Sequence, residues 1–125
     1  MNDKELVAHA ALEYVKDNSI IGLGTGSTAN IFIEMLAEKI RSRSLNISVV
    51  ASSVSSQQKA HDAGLKYISL DQITEIDLYV DGADEITNNL EILKGRGFDL
   101  IREKLLAKIS KQFIVIGDNS KIVSK

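Results

Sequence analysis

Short apolar runs, each ended by glycine or serine, alternate along this chain with stretches of helical periodicity. Ser19-Ile20-Ile21-Gly22-Leu23 stops at Gly24, Ile47 to Ala51 stops at Ser52-Ser53, and Asp77-Leu78-Tyr79-Val80-Asp81 stops at Gly82. Gln112 to Ile116 stops at Gly117. These runs lack the polar alternation of a half-exposed strand, so both of their faces are covered. Strands of that kind interleaved with helices build an α/β fold: an open, mostly parallel, Rossmann-like sheet with helices on both faces. A weaker strand is expected at Lys66 to Leu70, and a further one at Leu90 to Lys94, stopped by Gly95.

The helices follow from spacing. Asp3 is placed to cap a helix over Lys4 to Val15, with Leu6, Ala10 and Tyr14 on one face. Thr28 to Arg41 carries a broad apolar face of Ile31, Phe32, Met35, Leu36 and Ile40, which predicts deep burial. Ser55 to Ala63 is a short helix that Gly64 terminates, and Asp99 to Ser110 has Ile101, Leu105 and Ile109 in register.

Composition narrows the function. The 125 residues make one domain, 44% hydrophobic and 26% charged, with neither repeat nor linker. The chain has no cysteine, which excludes disulfides and thiolate metal sites. A net charge of −2 gives no basic footprint for nucleic acid. No apolar run approaches the roughly 18 residues of a membrane helix, and the polar start is unlike a signal peptide. A cytoplasmic protein that binds neither membrane nor nucleic acid is expected.

Residues suited to chemistry collect just beyond the strands, where open parallel sheets bind ligands. Gly24-Thr25-Gly26-Ser27-Thr28 combines glycines, hydroxyls and a helix start, the elements of a phosphate loop; a tight strand-to-helix turn reads the same way. Gly24, Gly26 and Ala29 also spell G-x-G-x-x-A, yet the second strand ends in Ala51-Ser52-Ser53, not in the acid that holds a dinucleotide's ribose. No Gly-Lys-Ser/Thr follows, which excludes the Walker version. Asp81, Asp84 and Glu85 suit a divalent cation, acid–base work or a turn cap. Lys94 enters a Gly95-Arg96-Gly97 turn whose N–H groups suit an oxyanion; a solvated lysine at a strand end reads the same way. Glu103 falls between Leu106 and Ala107 on the helical wheel, a position for a partly desolvated base as well as for a charged surface. His9 and His61 lie on separate helices and read as surface residues.

Together these clusters, with Tyr79 to Glu85, Arg102-Glu103-Lys104 and Asp118-x-Ser120-Lys121, resemble the ribose-5-phosphate isomerase A family throughout residues 1–125. The resemblance implies interconversion of ribose 5-phosphate and ribulose 5-phosphate through an enediolate, in the non-oxidative pentose phosphate pathway, without metal or organic cofactor. It implies Glu103 as proton acceptor. Asp81 and Asp84 would hold sugar hydroxyls and assist ring opening, with Asp81 the acid/base. Lys94 and the N–H groups of Gly95, Arg96 and Gly97 would stabilise the oxyanion. Thr25, Gly26, Ser27 and Thr28, Gly82 and Ala83, Lys121, and Lys4 near the phosphate would bind substrate. Arg96-Gly97-Phe98-Asp99 departs from the glycine- and alanine-rich stretch often found there. The family's chain continues through a second, α+β domain that helps build the cleft and a homodimer, so 1–125 reads as a catalytic domain truncated at its C-terminus. Two other readings are a sugar-phosphate-sensing domain without catalysis and a dinucleotide enzyme. Glu103, Asp81 and Lys94 together favour the isomerase over the first; the second-strand ending disfavours the second.

Overall fold

The computed structural model describes residues 2–82, 104–116 and 122–124. The expected strand at Leu90 to Lys94 and the first half of the helix at Asp99 to Ser110 lie outside them. A six-stranded sheet runs β3-β2-β1-β4-β5-β6. Its strands are β1 (Ser19–Leu23), β2 (Ile47–Ala51), β3 (Lys66–Tyr67), β4 (Leu78–Gly82), β5 (Phe113–Ile116) and β6 (Ile122–Ser124). β1 to β5 pair in parallel, and β6, which the sequence reading did not foresee, runs antiparallel to β5. From β1 the chain builds outward to β2 and β3, then returns to place β4 on the other side of β1. The order therefore reverses between β1 and β4, the position where open α/β sheets form a ligand crevice.

Successive residues of each strand serve opposite layers. Ile21, Leu23, Val49, Leu78, Val80, Ile114 and Ile116 face a core shared with α1 (Asp3–Leu12), α2 (Ser27–Arg43) and Ala60 of α3 (Val54–Asp62). Ile20, Val50, Tyr79 and Phe113 face the other layer, where Leu106, Ala107 and Ile109 of helical residues 104–109 pack with Leu70 and Ile73. Helices thus cover both faces, which is why the strands need no polar alternation. Phe32, Ile33 and Leu36 fix α2 to the sheet with essentially no exposure; truncating a buried leucine of this kind to alanine costs about 2–5 kcal/mol. Among the described residues no helix is long and apolar enough to cross a membrane.

Three local expectations are corrected. Asn2, not Asp3, caps α1: its side chain accepts from the Glu5 N–H at 2.9 Å, and the Glu5 carboxylate accepts from the Asn2 N–H at 3.3 Å. Glu5 stands three residues after Asn2, as this reciprocal box requires. α1 also ends at Leu12, and it buries Val7, Ala8, Ala11 and Leu12, while Leu6 and Tyr14 are both exposed. The alanines admit close approach of α2, so the tighter face wins over the bulkier one. Finally, β3 spans two residues, and Leu70–Gln72 forms a 3₁₀ turn in place of the rest of the expected strand. An edge strand gains hydrogen bonds from one neighbour only, which leaves local turn chemistry free to end it.

Candidate active site

The centre of the site is built from the ends of β1 and β4. Asp81 and Gly82 close β4, and Gly24 to Gly26 carry β1 into α2. The Asp81 side chain is buried at 1% exposure. A carboxylate buried this way is costly unless it is hydrogen-bonded, and here donors converge on it. Oδ1 accepts from the Gly82 N–H at 2.8 Å and the Thr25 N–H at 3.2 Å, and Oδ2 accepts from the Tyr79 hydroxyl at 2.9 Å. Three such bonds offset the cost of burying the carboxyl group.

Gly24 has a specific reason to be glycine. Its N–H donates to the Val80 carbonyl at 2.8 Å, which draws the loop against β4. A Cβ there would lie 2.1 Å from Asp81 Oδ1 and 2.6 Å from the Asp81 Cα. The glycine admits the Asp81 carboxylate against the loop. Gly26 then takes φ 109° and N-caps α2 with no side-chain hydrogen bond.

Hydroxyls hold the loop from the other side. Thr25 Oγ1 is 2.6 Å from Ser53 Oγ and 3.1 Å from Ser52 Oγ, all three residues buried. Ser53 is also the N-cap of α3, accepting from the Ser56 N–H at 3.2 Å. Its hydroxyl therefore joins the start of α3 to the loop, and the loop amide of Thr25 joins that to Asp81. Further along, the Lys4 ammonium donates to Ser27 Oγ at 2.8 Å, bringing a cation from α1 to the first residue of α2.

The expected residues Thr25, Gly26, Ser27, Thr28, Asp81, Gly82 and Lys4 thus lie along one edge, the carboxyl ends of β1 and β4. Thr28 is buried and Ser27 exposed. Ala83, Asp84, Glu85, Lys94, Gly95, Arg96, Gly97, Glu103 and Lys121 lie outside the described residues. His9 and His61 are exposed on α1 and α3, as expected of surface residues. The two roomiest of the cavities described lie away from this edge. One of about 780 Å³ sits between α1 and α2 beside Met35 and Lys39, and one of about 550 Å³ lies at the opposite end of the strands beside Asp17, Asp77 and Lys111. Neither contains a residue of the expected clusters.

Sequence reasoning missed Tyr79, whose hydroxyl reaches Asp81, and the capping role of Ser53. The signals were present. Tyr79 and Asp81 are two apart on a strand and so share a face. Ser53 and Ser56 have the spacing of a reciprocal cap.

Known proteins agree with this architecture. The family model for ribose 5-phosphate isomerase A (phosphoriboisomerase A) matches residues 48–125. Ribose-5-phosphate isomerase A of Rhodopseudomonas palustris (strain BisB18) is 46% identical over 121 residues, which cover 97% of this chain and 52% of the relative. Among solved structures, ribose 5-phosphate isomerase from Plasmodium falciparum superposes with TM-score 0.79 at 37% identity, over 95% of this chain and 52% of that one. A D-ribose-5-phosphate isomerase in complex with phospho-erythronic acid superposes with TM-score 0.77 at 39% identity, over 92% and 52%. The chain spans about half the length of the curated relatives it matches. Sequence match and superposition extend across the loop and strand ends that carry Asp81, and on that ground the chain belongs to the ribose 5-phosphate isomerase A family.

Proposed function

We propose that this protein is an aldose–ketose isomerase that interconverts D-ribose 5-phosphate and D-ribulose 5-phosphate through an enediolate, in the pentose phosphate pathway. Glu103 removes the C2 proton of the open-chain aldose. The released electron pair becomes the C1–C2 double bond, and the carbonyl pair moves onto O1. The same proton returns to C1 while the O2 hydroxyl proton passes to O1, leaving the ketone at C2. A weakly acidic carbon needs a base on one side and stabilisation of the developing oxyanion on the other. Lys94 and the N–H groups of Gly95, Arg96 and Gly97 supply the second. Asp81 and Asp84, with Gly82 and Ala83, hold sugar hydroxyls; in ring opening Asp81 takes the anomeric hydroxyl proton as the C1–O4 bond breaks and returns it to O4. Thr25, Gly26, Ser27 and Thr28 receive the substrate, Lys4 approaches its phosphate, and Lys121 adds a contact. The reaction uses no metal or organic cofactor, and the protein acts in the cytoplasm as a homodimer.

The observation that carries this reading is the buried Asp81 carboxylate at the point where strand order reverses, gripped by the amides of Thr25 and Gly82. It joins an acceptor for hydroxyls to a hydroxyl-rich loop that Lys4 supplies with positive charge. Membership of the family and the phosphorylated sugar acid held by a structural relative support a sugar phosphate as substrate. The test is conversion of ribose 5-phosphate by residues 1–125 in EDTA, beside Glu103→Gln. Loss of a general base costs about 10²–10⁴ in rate. Conversion by the parent and its collapse in the variant is the expected result. Undiminished conversion by the variant removes Glu103 as base, and a parent that neither converts nor binds ribose 5-phosphate refutes the reading for this chain.

A further inference from the structure

Tyr79 and Asp81 occupy alternate positions of β4 and so share a face. The neighbouring strand makes room for both with glycines. Gly22 pairs with Tyr79, and a Cβ on it would lie 2.9 Å from the Tyr79 Cδ1. Two residues on, a Cβ on Gly24 would strike Asp81. On the other side Phe113 of β5 pairs with Tyr79 and stacks on its ring, centroids 4.8 Å apart and planes at 11°. The ring is therefore clamped between β1 and β5, and both Tyr79 and Asp81 are essentially unexposed. The clamp sends the hydroxyl along the strand to Asp81 Oδ2 at 2.9 Å, while Oδ1 is turned to the amides of Thr25 and Gly82.

We propose that Tyr79 is a positioning residue: its hydroxyl, aimed by a ring wedged between Gly22 and Phe113, fixes the rotamer of Asp81 that meets the substrate. Its place in the reaction rests on the function proposed above; its hold on the carboxylate does not. A phenol donating to a carboxylate is a charge-assisted bond, stronger than a neutral one. Removing it takes one donor from Oδ2 and loosens the hold that keeps Oδ1 on the loop amides. An aspartate that accepts sugar hydroxyls needs a fixed direction, because small errors of placement cost rate steeply. In the function proposed above the phosphate is held at Lys4 and the start of α2, apart from Asp81, so loss of this bond acts on kcat more than on KM.

Tyr79→Phe tests the inference, since phenylalanine keeps the ring, the stack and the fit beside Gly22. Amide hydrogen exchange is followed at Thr25 and Gly82, with Val49 and Val50 as core references, and kcat and KM are measured for ribose 5-phosphate. The expected result is about tenfold faster exchange at Thr25 and Gly82, unchanged exchange at the references, and kcat lowered by about tenfold or more with KM within about threefold. Unchanged exchange at Thr25 and Gly82 overturns the inference. So does equal acceleration at all four amides, which would make the hydroxyl a general stabiliser, and so does faster local exchange with kcat intact. If the parent chain neither converts nor binds ribose 5-phosphate, the proposed function falls, and the exchange measurement alone still decides whether Tyr79 holds Asp81.

Discussion

Replacing Gly24 by alanine attacks the junction of β1, the loop and Asp81 with a single carbon. The new Cβ would lie 2.1 Å from Asp81 Oδ1, 2.5 Å from its Cγ and 2.6 Å from its Cα, where ordinary contact begins near 3.4 Å. The shortfall is 1.3 Å against the oxygen and 0.8 Å against the Cα, taken as differences from that contact distance. The carboxylate has a torsion with which to yield; the Cα is β4 backbone and does not. β1 and β4 must part, which strains the bond from the Gly24 N–H to the Val80 carbonyl and the bond from the Thr25 N–H to the carboxylate. A neutral bond contributes about 0.5–1.5 kcal/mol and one to a charge about 1.5–3. Overpacking adds about 1–3 kcal/mol. The expected loss is therefore about 3–7 kcal/mol, against a total stability of about 6–19 kcal/mol for a chain this long.

Urea unfolding followed by far-ultraviolet circular dichroism reads that loss. With a slope of about 1–3 kcal/mol per molar, the midpoint falls by about 2 M. Gly64→Ala is the control: Gly64 has φ +78° with nothing within 4 Å of a Cβ, so it carries backbone strain without a clash. Left-handed backbone at a non-glycine residue costs about 1–2 kcal/mol. A Gly24→Ala variant no less stable than Gly64→Ala refutes the close approach of Gly24 to Asp81.

Ser53→Ala removes both the cap of α3 and the hydroxyl against Thr25, and is expected to cost about 1–3 kcal/mol by thermal unfolding. Ser52→Ala touches no cap and is expected to cost less than Ser53→Ala. The exposed Lys111 ammonium is held above its ordinary value of 10.5, first by Glu75 and then by Asp77, whose carboxylates each lie 3.5 Å away. A raised folded value means that stability is fully present below pH 10.5 and lost as pH rises through the folded value. The Tm advantage of the parent over Lys111→Met is therefore expected to be small, to vanish above that range, and to shrink in 1 M salt at neutral pH. Titration with a nicotinamide dinucleotide, followed by calorimetry, is expected to show no saturable binding.

The strands were legible where short-range chemistry decides them. β1 and β2 begin and end at the residues expected from the apolar runs and the glycine or serine that stops each. α2 extends one residue earlier and two later than its apolar face suggested, since a helix runs on through polar residues until its cap, here Ser44 in a left-handed conformation. What failed depended on partners distant in sequence. The buried face of α1 was set by how closely α2 packs on Ala8 and Ala11, which periodicity alone does not reveal. The reason for Gly24 lies 57 residues away in Asp81, and becomes visible only when β1 and β4 are known to be neighbours. The pairing of Thr25 with Ser52 and Ser53 likewise waits on β1 lying beside β2.

That same neighbourhood explains why a loop with the letters of a dinucleotide fingerprint is suited to another ligand. In such a fingerprint, loop glycines let a pyrophosphate approach the backbone and the helix N-terminus. Here the space beside Gly24 holds the Asp81 carboxylate, and the Thr25 amide is spent on it. A pyrophosphate brought to this point would meet fixed negative charge and lose a donor. The place where a ribose-binding acid would stand, after β2, holds Ser52 and Ser53, buried and engaged with Thr25. Positive charge arrives instead at the outer end of the loop, where Lys4 meets Ser27. The Asp81 acceptor thus meets the loop at Thr25 and the Lys4 cation meets it at Ser27. That order supports the sugar phosphate proposed above, and it arises because β4 returns to lie against β1.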